Sequence, residues 1–253
     1  MTPAAFKRSI RDLQVWCSSC MVAFAGPDPI AVLIGAKRAC STLVHRIAVH
    51  PDHRRQGHGR HLLTSLASKL AILGPPRIVA EVPETLGPAR DLFGASGFDE
   101  AATLTDYVLE EGLENADAGG ITGRLLIPVT LDDLAANGLA DANPQVCWER
   151  SAETLAATKE DIIGLAVASD ELIEAFLLYK EDGCIVGLQS FVEDNGARLR
   201  RLLAVAGTRT MGTLRLPRVH PAEFSKDLLD SLGFRSAGTY RLFTAAAKGG
   251  NPQ

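Results

Sequence analysis

The chain has 253 residues, 46% of them hydrophobic, and a formal net charge of −4. That length allows one or two domains with a real core; the hydrophobic content excludes disorder, and the acidic balance argues against a general nucleic-acid binder. Five cysteines without disulfide-framework spacing point to a reducing compartment. No apolar run follows Lys7 and Arg8 as a signal peptide requires, and no stretch approaches the ~18 apolar residues that span a bilayer. A cytoplasmic protein that binds neither nucleic acid nor membrane is expected.

Residues 4–16 read as a helix, with Phe6, Ile10, Leu13 and Trp16 on one side. Cys17-Ser18-Ser19-Cys20 follows. A CxxC can bind zinc or do redox chemistry, but no second pair accompanies it. The preferred reading is two buried small residues at a helix-to-strand junction. Runs 20–25 and 30–36 form a hairpin around Gly26-Pro27-Asp28-Pro29, where Pro29 works against a tight two-residue turn. The strand at 43–49 alternates, with Leu43, His45, Ile47 and Val49 on one side and Val44, Arg46 and Ala48 on the other.

The stretch His50-Pro51-Asp52-His53-Arg54-Arg55-Gln56-Gly57-His58-Gly59-Arg60-His61 comes next. A helical pattern follows it, with Leu62, Leu63, Leu66, Leu70 and Leu73 at three- and four-residue steps. A strand, a basic glycine turn and a helix in that order make an anion site. Main-chain N–H groups point out of the helix start, with the positive end of its dipole behind them. Gly57 and Gly59 let the backbone approach a phosphate closely. No lysine follows Gly59, so this is not a Walker A loop; nor are there the three glycines of the dinucleotide fingerprint.

Arg54-Arg55-Gln56-Gly57-His58-Gly59 after Val49-His50-Pro51 resembles the acetyl-CoA loop of the GNAT superfamily of N-acetyltransferases. A strand at 77–82, a helix at 88–96 capped by Gly97 and a strand at 101–109 continue the resemblance. The segment Ala89-Arg90-Asp91-Leu92-Phe93-Gly94-Ala95-Ser96-Gly97-Phe98 is similar to the family's last motif, with Phe93 where a tyrosine is usual. In the family that tyrosine often protonates the departing thiolate, and phenylalanine has no proton to give. The opening strand of the family is missing before residue 20. A partner chain or the second half is expected to cover the sheet edge left open.

Residues 110–123 read as a linker. Beyond it a strand (125–129), helices (131–137 and 149–161), a hairpin (175–179 with 184–191) and a strand (198–205) are expected. Residues 214–234 align without a gap on 78–98, so Ser231-Leu232-Gly233-Phe234 matches Ala95-Ser96-Gly97-Phe98. Leu203-Ala204-Val205 echoes Ile47-Ala48-Val49. On that alignment the second half lacks about twenty residues, the loop and most of its helix. The expected architecture is α/β: two GNAT-like domains, each a mostly antiparallel mixed sheet flanked by helices. They span 1–112 and 124–253, with 113–123 between them, and the second is degenerate.

The resemblance implies acetyl-CoA as co-substrate, with its pantetheine arm and thioester on Ile47, Ala48 and Val49. Its diphosphate would lie on Arg54, Arg55, Gln56, Gly57, His58, Gly59 and Arg60, with Phe93 near the thiol. It implies direct acetyl transfer to an amine, small-molecule or protein, by an enzyme that holds both reactants together. His45 on the central strand can take a proton near neutral pH, Glu81 lies on the next strand, and Tyr107 is a substitute acid. These three are the candidate catalytic residues. His50, His53, His58 and His61 crowd the loop, but without a cysteine or carboxylate partner no metal is expected. A homodimer is compatible with the open edge. The alternative is a non-catalytic acyl-CoA-binding protein, with Phe93 marking lost chemistry.

Overall fold

The computed structural model describes residues 2–110, 125–139, 146–210 and 213–247. By contact the chain forms two units, Met1–Thr103 with Tyr240–Gln253, and Leu104–Thr239. A division at 112–124 by position and a division by contact therefore differ. The last strand of each half begins in one unit and ends in the other. The linker 113–123 lies outside the described residues. No helix among the described residues is long and apolar enough to cross a membrane.

The first unit contains α1 (Pro3–Asp12), β1 (Met21–Ala25), β2 (Asp28–Lys37), β3 (Ser41–Val49), α2 (His58–Leu73), β4 (Arg77–Pro83) and α3 (Gly87–Ala95), and the start of β5 (Asp99–Leu109). It is completed by Tyr240–Ala246, the end of β11 (Arg235–Ala246), which lies antiparallel to β4 from Tyr240↔Pro83 to Ala246↔Arg77. The strand order is β1-β2-β3-β4-β11-β5. Leu62, Leu63, Leu66 and Leu70 of α2 are buried against Leu33, Val44 and Ile78 of the sheet, as the leucine spacing requires. Leu73, the last residue of the helix, is exposed.

Three local expectations change in this unit. The first helix stops at Asp12; Gln14 has φ of 58°, and the N–H of Trp16 bonds to Gly35 O at the β2 edge. That pairing takes Trp16 off the helix face and leaves it exposed. The side chain of Phe6 lies outside the described residues. The β1–β2 turn is a tight two-residue one, Ala25↔Asp28, and a bulge at Ile30 absorbs the irregularity beside Pro29. At the CxxC, Ser19 is buried but Cys17 is exposed and Cys20 half-buried, so the cysteines are not core residues.

The second unit contains β6 (Leu125–Pro128), α4 (Leu131–Ala136), α5 (Ala152–Ala157), β7 (Ile163–Ala168), β8 (Ile173–Tyr179), β9 (Ile185–Ser190), α6 (Ala197–Arg209), β10 (Leu214–Val219) and α7 (Lys226–Ser231). Strands β6-β7-β8-β9 form an antiparallel sheet, and β10 pairs with β5 from Leu214↔Leu109. β7 was not expected, and the expected strand at 198–205 is helix α6. Leu199, Leu202, Leu203 and Ala206 are all buried, a three- and four-residue spacing that only a helix can place on one face.

That correction changes the internal repeat. On β3, His45 is the extra residue of a bulge, because Ile34 pairs with Arg46 and Gly35 with Val44. On β9, Val186 is the extra residue of the same kind, between Gly187 and Ile185. The N–H of His50 bonds to the carbonyl of bulged Ile30, and the N–H of Phe191 to that of bulged Glu174, each at 2.8 Å. Val186 lies 141 positions after His45 (186 minus 45), and Phe191 lies 141 after His50 (191 minus 50). At the glycines before the helices, Gly57 and Gly196, the offset is 139 (196 minus 57). At Phe98 and Phe234 it is 136 (234 minus 98). The second half therefore lacks five residues rather than twenty. Two are lost from the loop and three from the helix, which has 13 residues against 16. The loop is shorter, not deleted.

Candidate functional site

In the first unit β3 and β4 pair in parallel only at Ser41↔Arg77, Thr42↔Ile78 and Leu43↔Val79. Beyond Leu43 the ladder ends and the strands part. The bulge at His45 sits where they separate, and a bulge bends its strand. It also breaks the alternation expected for β3: Val44, Ile47 and Val49 all pack toward α2, with His45 half-buried and Arg46 and Ala48 exposed. Polar main-chain groups of Ile47–Val49 on the β4 side are thereby available to a ligand lying between the strands.

The loop follows at the end of β3. Pro51–His53 makes one 3₁₀ turn. Arg54 Nε donates to Val49 O at 3.1 Å and the Gln56 amide to Asp52 O at 3.1 Å. Both side chains thus hold the loop's shape. Arg55, with φ of 63°, and Arg60 are exposed at its surface. Gly57 has φ of 87° and no side chain caps the helix. The helix begins with His61 N–H bonded to Gly57 O, leaving the N–H groups of its first turn for an anion. Space around Gly57 is open, whereas a Cβ on Gly59 would meet Leu92 at 3.0 Å. Gly57 therefore faces the anion position, and Gly59 serves close packing of α2 on α3. His53 makes T-shaped contacts with His50 and His58, with ring centroids 5.9 and 6.1 Å apart. No group of three or more His, Cys, Asp or Glu side chains is arranged to hold a metal ion among the described residues.

The proposed acid–base residues separate. His45 and Glu81 belong to the first unit, on the two strands that part. Tyr107 belongs to the second, where it pairs with Leu216 and is buried in the core. Phe93 is also core, stacked on Phe243 and edge-on to Phe98. Its ring fills an aromatic cluster.

The equivalent place in the second unit has the same strand–loop–helix order and opposite chemistry. Asp194 Oδ1 accepts Gly196 N–H at 3.1 Å, and Oδ2 accepts Arg198 N–H at 2.9 Å and Arg198 Nη1 at 2.7 Å. The chain's own carboxylate occupies the start of α6. Burial works to raise the Asp194 pKa, but hydrogen bonds from the Arg198 guanidinium and main chain and from Gly196 outweigh it and hold the group below the usual carboxylate range. Sequence reasoning missed Asp194 because the segment was aligned one element too late. The signal was there: an acidic residue ahead of a glycine and a helical leucine repeat.

The second unit also contains a cavity of about 890 Å³ along β9, walled by α4, α5, the start of α6 and α7. The ion pair of Arg150 with Glu223 forms part of its wall, with both side chains buried. Arg150 Nε also donates to Pro217 O at 2.9 Å. Burial opposes the charge on Arg150, but Cys147 and Glu223 beside it raise its pKa, so the guanidinium stays ionised.

Within an α/β fold, an uncapped helix start beside two parting strands is an arrangement whose free N–H groups can take an anion. Residues 17–100 match the family model of the acetyltransferase (GNAT) domain. No curated protein matches the sequence. Among solved structures, a tandem GNAT protein from the clavulanic acid biosynthesis pathway is similar over 96% of this chain and 88% of its own, with TM-score 0.63 and 16% identity. A GCN5-related N-acetyltransferase from Sphaerobacter thermophilus is similar over 92% and 82%, with TM-score 0.67 and 16% identity. One from Anabaena variabilis covers 98% and 67%, with TM-score 0.62 and 11% identity. At such identities the likeness is one of fold. Residues 17–100 are thus similar to a GNAT acetyltransferase domain, and the chain as a whole has an α/β fold like that of a tandem GNAT protein. Acyl transfer is the general chemistry of that domain.

Proposed function

We propose that the protein is an acetyl-CoA-dependent N-acetyltransferase that works from its first unit on an amine, either a small molecule or a protein side chain or terminus. The observation that carries this reading is the uncapped start of α2, with Arg55 and Arg60 around it, at the end of the strand that parts from β4. A diphosphate fits that position by charge and by the open space at Gly57. Ile47–Val49 would hold the arm of the coenzyme through main-chain groups.

The bound thioester supplies an acetyl group already activated for transfer. The chain's part is to hold the amine beside it, worth roughly 7–11 kcal/mol in favourable cases, and to take the proton the amine loses. On this reading His45 and Glu81, carried on the two parting strands, are the candidates to take that proton. Phe93 supports a second reading, an acyl-CoA-binding protein without turnover, since its buried ring offers no hydroxyl to the thiolate.

The test is calorimetric titration of the full chain with CoA and acetyl-CoA, followed by CoA release with polyamines, aminoglycosides and lysine peptides. Binding with turnover on any amine supports the first reading. Binding with no turnover on every amine supports the second. No affinity for either thiol or thioester removes both.

A further inference from the structure

The cavity of the second unit has no role in that reading. It has the size of a small-molecule site, about 890 Å³. Its wall is mainly apolar, with Leu134, Phe176, Leu178, Leu188 and Phe224 among the lining side chains. A coenzyme diphosphate is excluded there, because Asp194 already accepts the hydrogen bonds at the start of α6 and lines the same cavity. A second anion beside that carboxylate would meet like charge.

The charged groups of the wall are otherwise accounted for. Arg150 and Glu223 neutralise each other. Asp194 is paired with Arg198, which it shares with buried Glu174, and Asp132 is paired with Lys159. Glu193 remains, an exposed lining carboxylate that forms no ion pair among the described residues. The lining thus combines an apolar interior with an excess of negative charge, of which Glu193 is the exposed carboxylate outside any ion pair. From the cavity, its filled anion position and Glu193, we infer that the second unit binds an amphiphilic monocation, with its apolar body in the cavity and its charge at Glu193.

This binding is separate from acyl transfer in the first unit, and it assigns the second unit a ligand of its own. The probes are octylamine, octan-1-ol and octanoate, titrated calorimetrically into the full chain. Octylamine is expected to bind once per chain and octanoate at least about ten-fold more weakly, since it brings like charge to the rim. Glu193→Gln is expected to weaken octylamine about five-fold, the scale of one partly screened ion pair, and to leave octan-1-ol unchanged. Ala135→Trp, at an exposed lining position, fills the cavity and is expected to weaken both. Octylamine binding is expected to persist in Arg55→Asp, whose CoA binding is expected to weaken more than about ten-fold, so failure here and failure of the acetyltransferase reading are distinguishable. Octanoate binding as tightly as octylamine, an unchanged Glu193→Gln or Ala135→Trp protein, displacement of octylamine by CoA, or no octylamine binding would each overturn the proposal. Circular dichroism checks that the variants are folded.

Discussion

Phe93 and Phe243 stack with ring centroids 5.6 Å apart and an interplanar angle of 21°. One lies in the helix before β5 and the other in the last strand of the chain, yet both belong to the same core. The aromatic cluster of the first unit is closed by the chain's far end. Arg241 reinforces that closure: its guanidinium pairs with Glu84 and bonds Glu100 and Thr103, the last two at 2.8 Å.

Truncation after Thr239 is therefore expected to unfold the first unit, although every removed residue lies beyond position 239. It removes Phe243 and uncovers the β4 edge. Limited proteolysis read by mass spectrometry is expected to cut within residues 20–100 of the truncated chain and to leave the full chain intact there. Phe243→Ala alone is expected to cost about 3–5 kcal/mol in the urea unfolding of this unit. A fragment ending near residue 117 that is monomeric and cooperatively folded would contradict this account.

Arg55 stands two residues before Gly57, as Asp194 stands two before Gly196. Arg55→Asp is expected to place a carboxylate at the start of α2, as in the second unit, and to weaken CoA binding by more than about ten-fold. Calorimetry with CoA measures it. Gly59→Trp is a poor alternative, because the added side chain would strike Leu92.

Arg150 and Glu223 form a buried pair, so removing one partner strands the other's charge. Arg150→Ala is expected to destabilise the second unit by about 3–5 kcal/mol, while the double change Arg150→Met with Glu223→Leu is expected to recover most of that loss. Chemical denaturation of the three proteins gives the comparison. Equal losses in the single and double variants would contradict it.

Asp194 ties stability to pH. Its folded pKa is lowered below the ordinary carboxyl value of 3.8, so its contribution is complete above that value and is lost as pH falls through the lower folded one. The stability difference between the wild-type protein and Asp194→Ala is expected to be about 1–2 kcal/mol and flat from pH 8 to 5, the scale of a helix cap. It is expected to shrink below about pH 4. A difference that grew on acidification would reverse the assignment.

The anion loop, the leucine face of α2 and the paired Gly97-Phe98 and Gly233-Phe234 turns were legible in the sequence. Each depends on residues within one or two turns of one another: a glycine at positive φ, a period of 3.6, a basic cluster. The helix at 197–209 was legible too, in Leu199, Leu202, Leu203 and Ala206, but a three-residue echo of β3 obscured it. The bulge at His45 was not legible, because it exists only against the partner strand, where Gly35 takes up Val44 and Ile34 takes up Arg46. Nor was the fate of β5 and β11, or the burial of Tyr107 in the second core. Strand neighbours are chosen by edges and cores far apart in the chain. Local pattern specifies that a segment is a strand; only tertiary packing decides which sheet receives it and which face each side chain then presents.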